Sequence, residues 1–99
     1  MDAPRWEFDA ELWRAEASDA WVFVTVPGDL SEDIRLAGGP PVGFGSVRVL
    51  VRVGDTEWRT SVFPDKKSGC FVLPVKQAVR RAEGPDDGDV GTFEIEVVQ

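Results

Sequence analysis

The sequence contains no histidine and a single cysteine, so two residue types that commonly carry metal and nucleophilic chemistry are almost absent. The usual general base is therefore missing, and one cysteine, Cys70, excludes an intrachain disulfide and any zinc site with several cysteines. A reactive thiolate needs an activating base or cation, so we interpret Cys70 as a packing residue. Asp86, Asp87 and Asp89 lack the spacing of a calcium loop and indicate an acidic turn. The sequence does not favour an enzyme, and it predicts no catalytic residue, no cofactor and no metal site.

Long apolar runs are also missing. No stretch approaches the roughly 20 apolar residues that a membrane span needs. The first residues, Met-Asp-Ala-Pro-Arg, do not contain the apolar segment of a secretory signal. One free thiol without a signal is typical of a reducing compartment. We therefore expect a cytoplasmic protein that makes no contact with a membrane.

The apolar content is nevertheless sufficient for a packed core. The chain has 99 residues, of which 42% are hydrophobic, and it contains four tryptophans and six phenylalanines. Domains usually comprise roughly 100–150 residues, so this length predicts one domain spanning residues 1–99. Because the tryptophans fall on alternating strand positions, we expect at least three of the four to lie in the core and not to form a stacking platform for bases.

Charge is distributed unevenly along the chain. The formal net charge is −7, yet residues 46–81 hold eight bases and three acids, whereas residues 82–99 hold six acids and no base. An acidic chain disfavours non-specific binding to nucleic acid, which depends on neutralising phosphates. The basic middle segment can still attract an anion. The expected partner is therefore a small anion or an acidic protein, not a nucleic acid.

Periodicity predicts a mainly β protein with two short helices. Apolar residues alternate with polar ones in the segments assigned as strands, and residues at i, i+4 and i+7 share one face in each helix. The predicted strands are 6–12, 21–26, 47–53, 56–62, 70–73 and 93–97, and the predicted helices are 30–37 and 75–83. Asp29 or Ser31 would cap the first helix. Turns are expected at 17–19 and 54–55, and an irregular loop at 38–45.

The order of these elements repeats, with two strands, a helix and a strand in each of two halves at about 5–53 and 54–98. Three residue matches suggest the same relation: Trp13 with Trp58, Pro27 with Pro74, and the Gly45 segment with the Gly91 segment. A single half is too small to bury its own apolar face. The sequence therefore predicts an internal duplication whose halves form a small closed or pseudo-barrel, and a monomer, because each half carries its partner.

Four short motifs resemble the bacterial family called domain of unknown function 1905. They are Gly-Phe-Gly-Ser-Val at 43–47, Trp-Arg-Thr-Ser at 58–61, Phe-Pro-Asp-Lys-Lys at 63–67 and Leu-Pro-Val-Lys at 73–76. The resemblance runs from about Phe8 to Val98. It implies a double-split β-barrel, a group that also holds the AbrB-like transition-state regulators, and it implies no activity.

The candidate ligand-binding residues come from the basic segment. They are Phe63, Asp65, Lys66, Lys67, Lys76 and Arg80. Lys76 lies in the predicted first turn of a helix, where a cation is unfavourable unless an anion is near. One hypothesis is a non-catalytic binding module for a small anionic ligand or a protein partner. The alternatives are an AbrB-like DNA-binding regulator, or a solvated loop whose lysines pair with Asp65 and Glu83.

Overall fold

The chain folds into short antiparallel strands and two short helices, as the alternation predicts. The computed structural model describes residues 4–16, 21–38 and 45–98. The predicted turn at 17–19 and most of the predicted loop at 38–45 lie outside these residues. The strands are β1 (Arg5–Glu11), β2 (Trp13–Arg14), β3 (Val22–Thr25), β4 (Val47–Val53), β5 (Thr56–Pro64), β6 (Phe71–Pro74) and β7 (Val90–Val97), and the helices are α1 (Gly28–Ala37) and α2 (Gln77–Glu83).

The sheet closes through its first strand. Its order is β1-β7-β4-β5-β6-β3-β2, and all neighbouring pairs are antiparallel. The end strands β1 and β2 are separated in the chain only by Leu12, so the sheet must curve until its two ends meet in one interrupted strand. Strand β5 is also shared, pairing with β4 along most of its length and with β6 at Phe63 and Pro64. The predicted mainly β pseudo-barrel is confirmed.

The loop between α2 and β7 holds the interruption at Leu12 in place. The backbone N–H of Leu12 donates to the carbonyl of Asp89, and its carbonyl accepts from the N–H of Gly88, both at 2.8 Å. Arg14, two residues after Leu12, donates its backbone N–H to the Asp87 carboxylate at 3.1 Å. A residue that leaves a strand ladder needs other partners for its backbone groups, and the acidic loop supplies them.

The barrel interior is filled mainly by branched aliphatic side chains that alternate along the strands. In β4 the four valines at 47, 49, 51 and 53 are buried, while the residues between them face outward. Leu12, Ile34 and Phe93 are fully buried in the same core. Both halves of the chain contribute to one hydrophobic cluster. Burial of this common core is the main stabilising contribution to the fold.

The two halves meet at β3 and β6 in a symmetrical pairing. Val26 donates its backbone N–H to the carbonyl of Phe71, and Val75 donates to the carbonyl of Val22, both at 2.9 Å. Val26 and Val75 are 49 residues apart, and so are Val22 and Phe71, so each bond has its counterpart in the other half. The directly paired Val24 and Leu73 are also 49 residues apart. The neighbouring pair, Thr25 with Val72, is related by the shift of 47 that the predicted equivalence of Pro27 with Pro74 requires, so this equivalence also stays a prediction. The duplication itself stays a prediction.

Both helices begin differently from the sequence prediction. Helix α1 begins at Gly28, directly after Pro27, and no side chain caps it, so the predicted caps at Asp29 and Ser31 are wrong. Helix α2 begins at Gln77, because Val75 is still held by its backbone bond to β3. The two helices have 10 and 7 residues. No helix in the described part of the chain is long and apolar enough to cross a membrane.

The prediction that at least three of the four tryptophans lie in the core is wrong. Trp58 is buried, with 8% of its surface exposed, and Trp6 is partly buried against the core. Trp13 and Trp21 are instead 37% and 54% exposed. The expected equivalence of Trp13 with Trp58 fails for the same reason, since one ring faces solvent and the other the interior. Two large aromatic side chains are therefore available on the outer surface.

Candidate functional site

The six predicted site residues fall into two groups at opposite ends of β5. Asp65, Lys66 and Lys67 follow the end of this strand at Pro64. Arg80 belongs to α2, whose last residue, Glu83, accepts a hydrogen bond from Thr56 at the start of the strand. A strand rises about 3.3 Å per residue, so the two groups are on the order of 20 Å apart. The structure therefore shows two separate groups, and ligand binding by either group stays a prediction.

At the α2 end, Arg80 is occupied by contacts within the fold. Its guanidinium donates to the carbonyl of Val75 at 3.1 Å and to the carboxylate of Asp86 at 2.9 Å. Its side chain is only 9% exposed. Lys76 is the residue before the first turn of α2 and is exposed. Of the two predicted cations at this end of the molecule, Lys76 is therefore accessible and Arg80 is not.

At the other end, Asp65 shapes a tight turn that displays two lysines. Its carboxylate accepts from the Ser68 hydroxyl at 2.9 Å and from the backbone N–H of Lys67 at 3.4 Å. The Ser68 hydrogen bond is the main reason that the pKa of Asp65 lies below its ordinary value. Lys66 and Lys67 are exposed. Neither forms an ion pair within 4 Å among the described residues, and Glu83, the other expected partner, bonds Thr56 instead.

Three aromatic side chains that sequence reasoning did not select as site residues form a cluster near this turn. The rings of Trp13 and Phe23 lie 5.1 Å apart, and those of Trp21 and Phe23 are stacked at 5.9 Å. The indole N–H of Trp13 donates to the Thr25 hydroxyl at 3.0 Å. Their positions alternate with the buried Val22 and the other inward residues of β3, so all three rings lie on the outer surface of the sheet.

Phe63 lies on the same outer surface. It pairs across the strands with Val72, which in turn pairs with Thr25, so the row runs from β5 through β6 to β3. Phe63 is 43% exposed. We call the outward surface formed by Trp13, Trp21, Phe23 and Phe63 the aromatic face. Alternation along β3 is the signal that could have identified the aromatic face. Trp21 and Phe23 alternate with the buried valines in the sequence, so their side chains point to the opposite side of the sheet.

A groove joins the aromatic face to the lysine-bearing turn. It encloses about 450 Å³, and its lining residues are Trp13, Arg14, Ala15, Glu16, Phe23, Asp65 and Lys67. Phe63, Asp65 and Lys67, predicted from sequence, thus lie beside a cluster that was not predicted. Among the described residues, no group of three acidic or cysteine side chains is placed to hold a metal ion.

The fold and this surface define the class: a small, mainly β pseudo-barrel with two short helices and an exposed aromatic surface. The family model described as "Domain of unknown function (DUF1905)" matches residues 8–95, which is nearly the whole chain. The chain belongs to this family, and the resemblance seen in its motifs is confirmed. Comparison with the curated proteins finds no match.

Proposed function

We propose that this protein is a non-catalytic binding module whose aromatic face binds an apolar, acidic segment of a partner protein. One observation carries the proposal. Six large hydrophobic side chains are exposed in the described part of the chain, and three of them, Trp13, Trp21 and Phe63, lie on this one face. Scattered apolar residues are normal on a surface, whereas a contiguous aromatic group is typical of an interaction site.

The geometry of the rings supports binding by preformed contacts. Trp13 and Trp21 both contact Phe23, and Trp13 is also fixed by its hydrogen bond to Thr25. Rings held in this way lose little conformational freedom when a partner covers them. Tryptophan is also enriched among the residues that dominate binding energy at protein interfaces. The aromatic face therefore supplies the apolar part of the recognition.

The lysine-bearing turn selects the charge of the partner. Lys67 lines the groove, Lys66 is its exposed neighbour in the chain, and neither forms an ion pair with a described residue. The whole chain has a net charge of −7, which repels acidic partners at long range. At physiological salt this repulsion is screened beyond about 8 Å, so the charges at the groove decide. Arg14 and Lys67 line the groove together with Glu16 and Asp65, and Asp65 already accepts a hydrogen bond from Ser68. An acidic residue flanking the apolar segment would then pair with a lysine.

The test uses two synthetic peptides that share leucine and phenylalanine positions and differ only in carrying aspartate or lysine between them. Binding is followed by amide chemical shifts and isothermal titration calorimetry. The acidic peptide should shift the signals of Trp13, Trp21 and Lys67, and the basic peptide should not. Trp21→Ser should weaken binding by about 2 kcal/mol, or roughly 30-fold. Leu36→Ser, which removes a 73% exposed side chain on α1, is the matched control and should leave binding unchanged.

Charge reversal separates the two parts of the site. Lys66→Glu with Lys67→Glu should weaken the acidic peptide about tenfold, whereas Arg81→Glu on the exposed side of α2 should have no effect. Equal binding of both peptides, or an equal loss in Leu36→Ser and Trp21→Ser, would contradict the proposal. The AbrB-like alternative predicts binding to duplex DNA that weakens steeply with salt. Such binding without any response to the peptides would favour that alternative.

A further inference from the structure

The sheet is incomplete along the first half of β7. The pairing of β7 with β4 ends at Glu94 and Arg52. Two residues further along, the same register would place Gly54 opposite Thr92, but Gly54 belongs to the turn that joins β4 to β5. On its other side β7 remains paired with β1 as far as Val90. The beginning of β7 is therefore paired on one side and open on the other.

Val90 and Thr92 direct their backbone groups toward the open side. Backbone N–H and C=O groups point to alternate sides of a strand from one residue to the next. The N–H of Val98 points to β4, since it donates to the carbonyl of Arg48 at 3.1 Å, so the even-numbered residues of β7 share that direction. No backbone hydrogen bond joins Val90 or Thr92 to a described residue on this side. Such an edge can pair with an added strand.

A groove of about 510 Å³ lies along this open edge. It is bounded by the edge itself, by the turn at Gly54 and by the end of α2 at Glu83. Val90, which also lines it, is 66% exposed and provides an apolar contact beside the backbone groups. An added strand lies about 4.8 Å from its neighbour, so a segment in this groove would reach the backbone of β7.

The charges that line the groove are negative. Among the described residues of its lining there are two carboxylates, those of Glu83 and Asp89, and no base. Neither forms an ion pair with a described residue, whereas Asp86 in the same loop pairs with Arg80. A Cβ at Gly54 would collide with the Glu83 carboxylate, so the glycine lets this carboxylate lie against the turn. The C-terminal end of α2 adds a partial negative charge, which also favours a cation.

We propose that this groove binds an extended, basic segment of a partner protein as an additional strand beside β7. The N–H and C=O groups of Val90 and Thr92 pair with the backbone of the segment, which supplies affinity. Lysine or arginine side chains of the segment lie near Glu83 and Asp89, which selects its charge. The net charge of −7 attracts such a partner and repels a second copy of this chain, whose own edge carries the same carboxylates.

This site goes beyond the proposed binding of an acidic segment and is independent of it. Among the described residues, none lines both this groove and the groove at the aromatic face. A basic segment bound here shifts the signals of Val90 and Thr92 and leaves those of Trp13 and Trp21 unchanged. Trp21→Ser should abolish binding of the acidic peptide and keep binding of the basic segment, and Val90→Pro should do the reverse. The failure of one proposal is therefore distinguishable from the failure of the other.

The test is a titration of the full chain with blocked heptapeptides, followed by backbone amide signals. In two of them valine alternates with lysine or with glutamate. The lysine peptide should shift the signals of Val90, Gly91 and Thr92, and the glutamate peptide should not. A third peptide is the lysine peptide with its three central residues N-methylated, which keeps the charge and removes the backbone donors. It should bind about tenfold more weakly than the lysine peptide.

Two matched variants test the backbone edge. Val90→Pro removes one N–H at the first residue of β7, a strand position where proline is tolerated, and should weaken the lysine peptide about tenfold. Val90→Thr keeps the N–H and should change the affinity by less than about twofold. Retention of the remaining amide spectrum shows that each variant is folded. Equal affinity of the two variants, or equal binding of the N-methylated and unmodified peptides, would overturn the proposal.

Charge is tested separately from the backbone edge. Glu83→Gln with Asp89→Asn should weaken the lysine peptide about tenfold, because both carboxylates lose their charge. Asp33→Asn, which removes an exposed carboxylate on α1, is the control and should leave binding unchanged. Equal effects of the double variant and the control would contradict the proposed selection of a basic segment. A dimer of this chain that Val90→Pro dissociates would assign the edge to a second copy and overturn the proposal.

Discussion

Ser31 joins three elements through one hydroxyl group. It is the one buried polar side chain in the described part of the chain, with 1% of its surface exposed. Its Oγ donates to the carbonyl of Val26 and accepts from the N–H of Phe71, both at 3.0 Å. The first turn of α1 is thereby tied to the end of β3 and the start of β6. A polar group is tolerated at this position because both its donor and its acceptor functions are satisfied.

Replacing this serine tests how much the junction contributes. Ser31→Ala leaves the Val26 carbonyl and the Phe71 N–H buried without that partner, so we expect a loss of about 2 kcal/mol in the free energy of unfolding. Urea denaturation should show the midpoint shifted down by about 1 M. Ser61→Ala, a half-exposed serine on β5, should change stability by less than about 0.5 kcal/mol. Equal effects of the two substitutions would show that the hydroxyl of Ser31 is not a structural link.

At this scale the sequence predicts the interior better than the surface. The alternation of Val47, Val49, Val51 and Val53 places them in the core, and the structure agrees. The segment 21–26 is almost entirely apolar, so its composition does not distinguish its two faces. The alternation of the rings with the valines is the signal for two faces in this segment, and the structure shows that the valines are buried and the rings face outward.

The acidic loop between α2 and β7 is the element whose role the sequence described least. Composition indicates an acidic turn, which is what the structure has. It does not indicate that Asp86 joins Arg80 at 2.9 Å and Arg14 at 3.9 Å, or that the loop bonds the backbone of Leu12. Residues 14 and 86 are far apart in the sequence, and only closure of the sheet brings them together. Long-range contacts of this kind leave no local pattern.

Acid should weaken this loop in a defined range of pH. The pKa of the Asp86 carboxyl lies below its ordinary value, chiefly because it accepts a hydrogen bond from the backbone N–H of Asp87, and also because it bonds Arg80. A carboxyl whose pKa is lower in the folded state stabilises the fold at neutral pH. That stabilisation is lost as the pH falls from about 4 through the folded-state pKa.

The corresponding variant is Asp86→Asn. Thermal unfolding followed by circular dichroism between about pH 6 and pH 2 should show a shallower decrease in stability than the unmodified protein, because the titrating group has been removed. Asp33→Asn, at an exposed position of α1 that forms no ion pair with a described residue, is the control and should keep the original slope. A slope that is identical in all three proteins would exclude Asp86 as a contributor to acid sensitivity.

At the scale of the molecule, closure depends on the two ends of the sheet order meeting in one strand. The sequence predicts six strands, two helices and a pseudo-barrel, and this architecture is confirmed. It does not predict that the strand resumes as β2 after Leu12, because the alternation that assigns the first strand covers residues 6–12 only. The break follows from closure, since one strand must pair with β7 over part of its length and with β3 over the rest.

The shared core also bears on the oligomeric state, which we predict to be monomeric. Each half of the chain buries its apolar residues against the other half, so a second copy is not needed to complete the interior. The radius of gyration is 12.7 Å, close to the value of about 13 Å for a compact chain of 100 residues. Sedimentation from about 10 to about 500 μM should give a single species of 10.9 kDa at all concentrations. An obligate dimer would contradict the prediction. A dimer that Trp21→Ser dissociates would show that the aromatic face binds a second copy of this chain. It would also overturn the proposed binding of a partner segment.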